Sequence, residues 1–285
     1  MGNLARDILS FILAVLLSGI LGIVTNPVLA VELNQAVVLE PVPAEAPGWV
    51  ILEGLSPQDN LRLLVKKNNI NKWYPLPVAQ GKFSQKVWLT EGKGEYELAV
   101  MVHQAGRTYA YGPRVQVYNQ VQLNPYLDPA PYIESEHKEI AALSRQLTEE
   151  CTSDREKARA VHDWIVENIS FDLEKYQRNL TGQVYYPDGA LTTLGCRQGI
   201  CIDHANLAAA LLRAAGIPTR VISGTLPDSR LHAWNQAWDG QNHRWINFDT
   251  SWGTAPGCDW FDPDDFETTH PSGSDYYKSG LTQQL

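Results

Sequence analysis

Three side chains in this sequence have the types and the order that thiol chemistry on an amide requires. Cys201 lies in Gly195-Cys196-Arg197-Gln198-Gly199-Ile200-Cys201-Ile202-Asp203-His204-Ala205, and His232 in Leu231-His232-Ala233-Trp234-Asn235. Asp249 lies in Trp245-Ile246-Asn247-Phe248-Asp249-Thr250-Ser251-Trp252-Gly253. A cysteine nucleophile needs a base to take its proton, an orienting group that holds the base in one tautomer, and N–H donors for the oxyanion. One of each is present. Ala205, Leu207 to Leu212, Ala214 and Ala215 make an apolar helix that stops at Gly216 with Pro218 beyond it, so Cys201 is expected in the first turn of a buried helix. Unpaired N–H groups and the positive end of the helix dipole favour a thiolate there, and the Cys201 N–H is the expected oxyanion donor. Gly195 and Gly199 are expected to make a flexible turn ahead of it.

His232 and Asp249 need neighbouring strands to bring them together. After the Cys201 helix the chain reads as short, Trp-rich strands at Thr219 to Ser223, His232 to Trp238 and Trp245 to Phe248, with Asp239-Gly240 turning between the last two. Antiparallel pairing would set His232 beside Asp249. Upstream, Ile140, Leu143 and Leu147 follow one helical stripe. Ser153-Asp154-Arg155-Glu156 is a capping box opening a second helix whose buried stripe is Ala158, Val161, Ile165 and Ile169, with His162 a packing residue beside it. Glu174 to Leu194, including Tyr185-Tyr186-Pro187-Asp188-Gly189, shows no period and reads as a site-shaping loop.

The first part of the chain has a different rhythm. Trp49 to Glu53, Leu61 to Lys67, Phe83 to Leu89, Tyr96 to Val102, Tyr109 to Tyr111 and Val115 to Tyr118 alternate with period two, and Gly, Pro and Asn punctuate the gaps. These strands predict a small β-sandwich over residues 31–123. Its aromatic residues Trp73, Tyr74, Trp88 and Tyr111 are read as core or sandwich edge rather than a ligand surface. Residues 124–132 are a proline-punctuated linker, and 133–285 the helix-then-strand domain. The fold class is therefore α+β preceded by an all-β domain.

Residues 1–30 read as a targeting segment. Ile8 to Val24 is an almost unbroken apolar run, and Val28-Leu29-Ala30 offers small residues for cleavage after Ala30, with an uncleaved membrane anchor as the rival. The remainder is expected to be exported. Net charge is -9 and no Lys/Arg cluster occurs, so nucleic acid is not an expected partner. Four cysteines, Cys151, Cys196, Cys201 and Cys258, are too few and too irregular for a disulfide scaffold; a pair such as Cys196 with Cys258 suits the count, and the connectivity stays open.

With these blocks in place, the segment from about Ile133 to Leu281 resembles the transglutaminase-like superfamily of papain-like cysteine enzymes. The family's blocks are a Gly-x-Cys opening a helix, a His-Ala-Trp strand and a Trp-x-x-x-Asp strand closing with Thr-x-Trp; all three occur in order, and Leu211 to Arg220 and Trp260 to His270 are also family-like. The resemblance implies Cys201 as nucleophile, His232 as base and Asp249 as orienter, helices packed on an antiparallel sheet, and a thioester formed from an amide of a protein or peptide. Resolution by an amine makes a transglutaminase, and resolution by water a peptidase or amidase. No cofactor or metal is implied. A non-catalytic surface module built on the same scaffold is the competing class.

Rival assignments rest on single features. Cys196 is read as structural and His204 as a packing residue. A zinc site from Cys196, Cys201, His204 and His232 lacks the paired spacing of a closed structural site. Asp262, Asp264 and Asp265 lack the spacing of a calcium loop and read as a solvated turn.

Overall fold

Alternating burial builds the first half of the chain. The computed structural model describes residues 37–181, 187–252 and 259–277. Eight strands come first: β1 (Val38–Leu39), β2 (Glu45–Ala46), β3 (Trp49–Leu55), β4 (Leu61–Lys67), β5 (Ile70–Leu76), β6 (Lys82–Trp88), β7 (Gly94–Ala105) and β8 (Thr108–Asn119). In β3, Val50, Leu52 and Gly54 are buried while Trp49, Ile51 and Glu53 are exposed, as a strand with one covered face requires. The strands form two sheets, ordered β1-β3-β6 and β2-β8-β7-β4-β5. Val50, Leu52 and Phe83 of one sheet share a core with Leu63, Tyr74, Leu76, Leu98 and Val100 of the other. The aromatic residues divide: Tyr74 and Trp88 are buried, and Tyr111 is exposed.

Two strand expectations change. Tyr109–Tyr111 and Val115–Tyr118 are halves of one strand, β8, in which Gly112-Pro113 form a bulge, two residues opposite the single Val100 between Ala99 and Met101 of β7. The second change is β5, which the alternation does not predict. It lies at the sheet edge and contains Pro75, a residue tolerated there because no ladder hydrogen bond is lost.

The second half contains helices α1 (Lys138–Thr148), α2 (Asp154–Asn168), α3 (Leu173–Leu180), α4 (Ala190–Cys196), α5 (Cys201–Ala214) and α6 (Phe266–Thr269). Its strands are β9 (Ser170–Phe171), β10 (Gln198–Gly199), β11 (Thr219–Thr225), β12 (Leu231–Asp239), β13 (Arg244–Phe248) and β14 (Ser272–Asp275). The Ser153–Glu156 capping box forms in full at the start of α2. Helix α5 is buried at every position from Ile202 to Arg213: its middle, Leu207 to Leu212, is apolar all round, and the polar residues Asp203, His204, Asn206 and Arg213 flank that run. One side holds α1, through a hydrogen bond donated by Ser144 Oγ to Leu211 O at 2.7 Å. Another holds the β13-β12-β11-β14 sheet, through Asn235 Nδ2 donating to Ala205 O at 2.9 Å. Gly216, at φ +80°, turns the chain out of the helix.

The 124–132 segment is stitched down rather than slack. Ala130 is buried in the second core, Tyr132 packs on the first, and Tyr126 O accepts the Thr219 N–H at 2.7 Å. The aperiodic 174–194 stretch holds most of α3 and the start of α4. Tyr185 and Tyr186, the N-terminal targeting segment and Cys258 lie outside the described residues. Among the described residues no helix is long and apolar enough to cross a membrane.

Candidate active site

Cys201 is the first residue of α5, after Ile200 in extended backbone. The turn leading to it does not use glycine freedom in the way the sequence suggests. Gly195 lies inside α4, and Arg197 takes the left-handed conformation at φ +57°, with its guanidinium 4.8 Å over the Trp164 ring. Gly199 is needed for space: a Cβ there would lie 2.7 Å from Asp203 Cβ. Asp203 fastens this end of the helix. Its carboxylate accepts from Ile200 N at 2.9 Å, Asp188 N at 2.7 Å and Lys175 Nζ at 2.6 Å, and Lys175 also reaches Asp188 at 2.6 Å. Both Asp203 and Lys175 are buried. The Lys175 cation thus neutralises a carboxylate two residues from the thiol.

His232 stands on β12, and Asp249 follows the last residue of β13. The register Asn235↔Phe248 sets the two strands antiparallel; continued by one residue it puts Trp234 level with Asp249, so His232, two residues further along β12, is the diagonal neighbour of Asp249. His232 Nε2 lies 2.7 Å from Asp249 Oδ2. The other carboxylate oxygen, Oδ1, accepts from Ser251 N at 2.8 Å, Ser251 Oγ at 2.8 Å and Trp252 N at 3.3 Å. Burial alone would push the Asp249 carboxyl up, but hydrogen bonds from His232, His270 and Ser251 hold it well below the usual carboxylate range. Burial likewise works against a charged His232, and is outweighed by Asp249 and by the Cys201 thiol acting on the same ring, so the imidazole is raised to about 10. Trp252 covers this ring at 4.9 Å between centroids and Trp234 flanks it at 6.3 Å, shielding the His232–Asp249 bond from water.

His232 and Asp249 are thus joined by a hydrogen bond, with Cys201 acting on the same ring, and the rival residues lie in other surroundings. Cys196 is an exposed thiol at the end of α4. His204 is buried with Nε2 3.4 Å from Ser170 O, and burial lowers its pKa. His162 packs against Phe248 and Phe261. Asp262 departs from the solvated-turn expectation: it is paired with Arg155 and Arg244, and its Oδ1 accepts from Asn247 N at 3.4 Å, so it clamps α2 to β13.

One side chain of the site was missed by sequence reasoning. His270 Nε2 lies 3.4 Å from Asp249 Oδ2, and its ring stacks on Phe266 at 4.1 Å. Among the described residues, His232, Asp249 and His270 are the group of metal-ligand types whose donor atoms converge, within 4.8 Å of one another, and no cysteine belongs to it. The 2.7 Å His232–Asp249 separation is that of a shared proton; two ligands of a tetrahedral zinc stand roughly 3.3 Å apart.

Comparison with known proteins follows the same residues. Residues 141–250, which include all three side chains, match the family model of the transglutaminase-like superfamily. An uncharacterized protein of Mycobacterium leprae (strain TN) is 42% identical over 65 residues, a stretch spanning 19% of this chain and only 22% of that relative. A provisionally named cysteine protease from Cytophaga hutchinsonii is 18% identical, covering 88% of this chain and 76% of its own, with a TM-score of 0.41. Red sea bream transglutaminase is 12% identical, covering 81% of this chain and 51% of its own, with a TM-score of 0.33. Superpositions this loose carry no argument about activity. The family match and the α+β fold agree, and residues 141–250 form a transglutaminase-like superfamily domain.

Proposed function

We propose that this chain is an exported transglutaminase-like cysteine enzyme that acts on amide bonds of proteins or peptides through a thioester and transfers the acyl group to an amine or to water. The observation that carries the reading is the buried His232–Asp249 hydrogen bond at 2.7 Å, on a ring that also interacts with Cys201 at the start of α5. The Cys201 thiolate attacks the amide carbon, and the helix N-terminus, with the Cys201 N–H, takes the oxyanion. His232 gives its proton to the departing amine, and the C–N bond breaks to leave the thioester. Neutral His232 then takes a proton from the incoming water or amine, the new bond forms, and the C–S bond breaks to return the thiolate.

Asp249 keeps one His232 nitrogen occupied and leaves the other for the thiol. The partner in this reading is a protein or peptide substrate rather than nucleic acid, met outside the cytoplasm after residues 1–30 have directed export or remained as an anchor.

The test is turnover of a glutamine-containing peptide with and without cadaverine, with the protein's mass followed in parallel. An acyl adduct on Cys201, ammonia release and loss of both in Cys201→Ala support the proposal. Undiminished turnover in Cys201→Ala contradicts it, and an inert wild-type protein favours the binding-module class.

A further inference from the structure

Asp249 Oδ1 is occupied by Ser251 and Trp252, so Oδ2 is the oxygen through which the carboxylate acts on His232, and a second imidazole shares it. The His270 side chain is 0% exposed. Three tryptophan rings, Trp234, Trp252 and Trp260, surround it at centroid distances of 4.9, 5.0 and 5.8 Å, and Phe266 lies nearly parallel to it at 14°. Nothing about packing requires an imidazole in an aromatic box of this kind; Leu or Phe would fill it.

Hydrogen-bond accounting fixes what the ring does. Thr269 Oγ1 lies 2.9 Å from His270 Nδ1 and also 2.9 Å from Phe266 O. The hydroxyl donates to Phe266 O, which with its two lone pairs also accepts the His270 backbone N–H at 2.9 Å, so the hydroxyl oxygen is what faces Nδ1. The other ring nitrogen, Nε2, faces a carboxylate oxygen that can only accept, so the proton between them sits on Nε2. Asp249 Oδ2 therefore accepts from both His270 and His232.

We infer that His270 is a positioning residue for the Cys201–His232–Asp249 site: its Nε2–H holds the Asp249 carboxylate in the rotation that serves His232 and competes with His232 for Oδ2. The inference rests on the proposed function for its kinetic consequences and on geometry alone for its effect on His232. The titratable groups around Asp249 are His232 on β12, Cys201 and His204 on α5, and His270 after α6. Removing the second donor leaves Oδ2 wholly to His232, which makes the carboxylate a stronger acceptor and the imidazolium harder to deprotonate.

The test compares wild type with His270→Leu, which keeps bulk without a donor, His270→Gln, whose amide N–H reaches nearly the same point, and Thr269→Val, which removes the hydroxyl that holds the other side of the ring. The His232 titration, read by NMR, needs no activity and separates this inference from the enzyme reading. The expected result is an upward shift of about half a pH unit or more in His270→Leu, a smaller shift of the same sign in Thr269→Val, and return to near the wild-type value in His270→Gln. With a working substrate, kcat falls roughly tenfold in His270→Leu while KM stays constant. Equal behaviour of the Gln and Leu variants, or a lower melting temperature with an unmoved titration, overturns the inference. So does one equivalent of zinc in the purified protein that is lost in His270→Gln. If His270→Leu does not fold, Thr269→Val and His270→Gln decide the question by the same titration.

Discussion

His232 Nε2 and Asp249 Oδ2 are 2.7 Å apart, and the two side chains are only 6% and 1% exposed. A charge-assisted hydrogen bond this sheltered is strong, and each partner depends on the other to be buried in its charged form.

Replacing Asp249 with Asn keeps shape and removes the charge. The variant is expected to fold, with kcat lower by on the order of a thousandfold and KM little changed, because the imidazole loses the acceptor that orients it. Steady-state kinetics on the peptide substrate check this, and a full rate would remove Asp249 from the mechanism.

The two neighbouring cysteines should separate cleanly. Cys201 heads the buried helix, whereas Cys196 is exposed on α4. Cys201→Ala is expected to abolish turnover and Cys196→Ala to retain most of it. Equal loss from a well-folded Cys196→Ala protein would reverse the assignment.

The raised pKa of His232 predicts how stability depends on pH. An unfolded histidine titrates near 6.5, and in the folded protein His232 does so at about 10. Its contribution is full below about pH 6.5 and is lost as pH rises through the folded value. Asp249, held low, contributes above the ordinary carboxylate range and loses its effect on acidification. The wild-type melting temperature should therefore fall between pH 6.5 and 10, and the fall should be shallower in His232→Gln. Parallel curves for the two proteins contradict the coupling.

Lys175 and Asp203 test the support beneath the nucleophile. Lys175→Met strands a buried carboxylate at the start of α5 and is expected to cost about 3–5 kcal/mol. Adding Asp203→Asn should recover part of that loss, since the amide can still accept from Ile200 N. Denaturant unfolding of the single and double variants measures the coupling, and additive losses would show that the pair is independent.

Elements whose physics is local were legible in the sequence. Helix α5 announces itself by an apolar run ended at Gly216, and α2 by a capping box that forms as written. Strand pairing then set His232 beside Asp249. The misses have non-local causes. β8 reads as two strands because Gly112-Pro113 looks like a turn; only pairing with β7 on both sides of it shows a bulge inside one strand. Helix α3 spaces Leu173, Tyr176 and Leu180 helically but leaves both leucines exposed and buries Lys175, whose partners lie 13 and 28 residues away. His270 is one histidine in a proline-flanked tail; only the fold of that tail against Trp234 and Asp249 gives it a partner.

The most direct measurement is alkylation of the protein by limiting iodoacetamide across pH, with the modified cysteine located by mass spectrometry. The account predicts fast, selective labelling of Cys201 over Cys151 and Cys196 at a pH well below that of an ordinary thiol, and loss of that selectivity in His232→Ala. Slow or non-selective labelling of the wild type, Cys201 found in a disulfide, or selectivity unchanged in His232→Ala would contradict it.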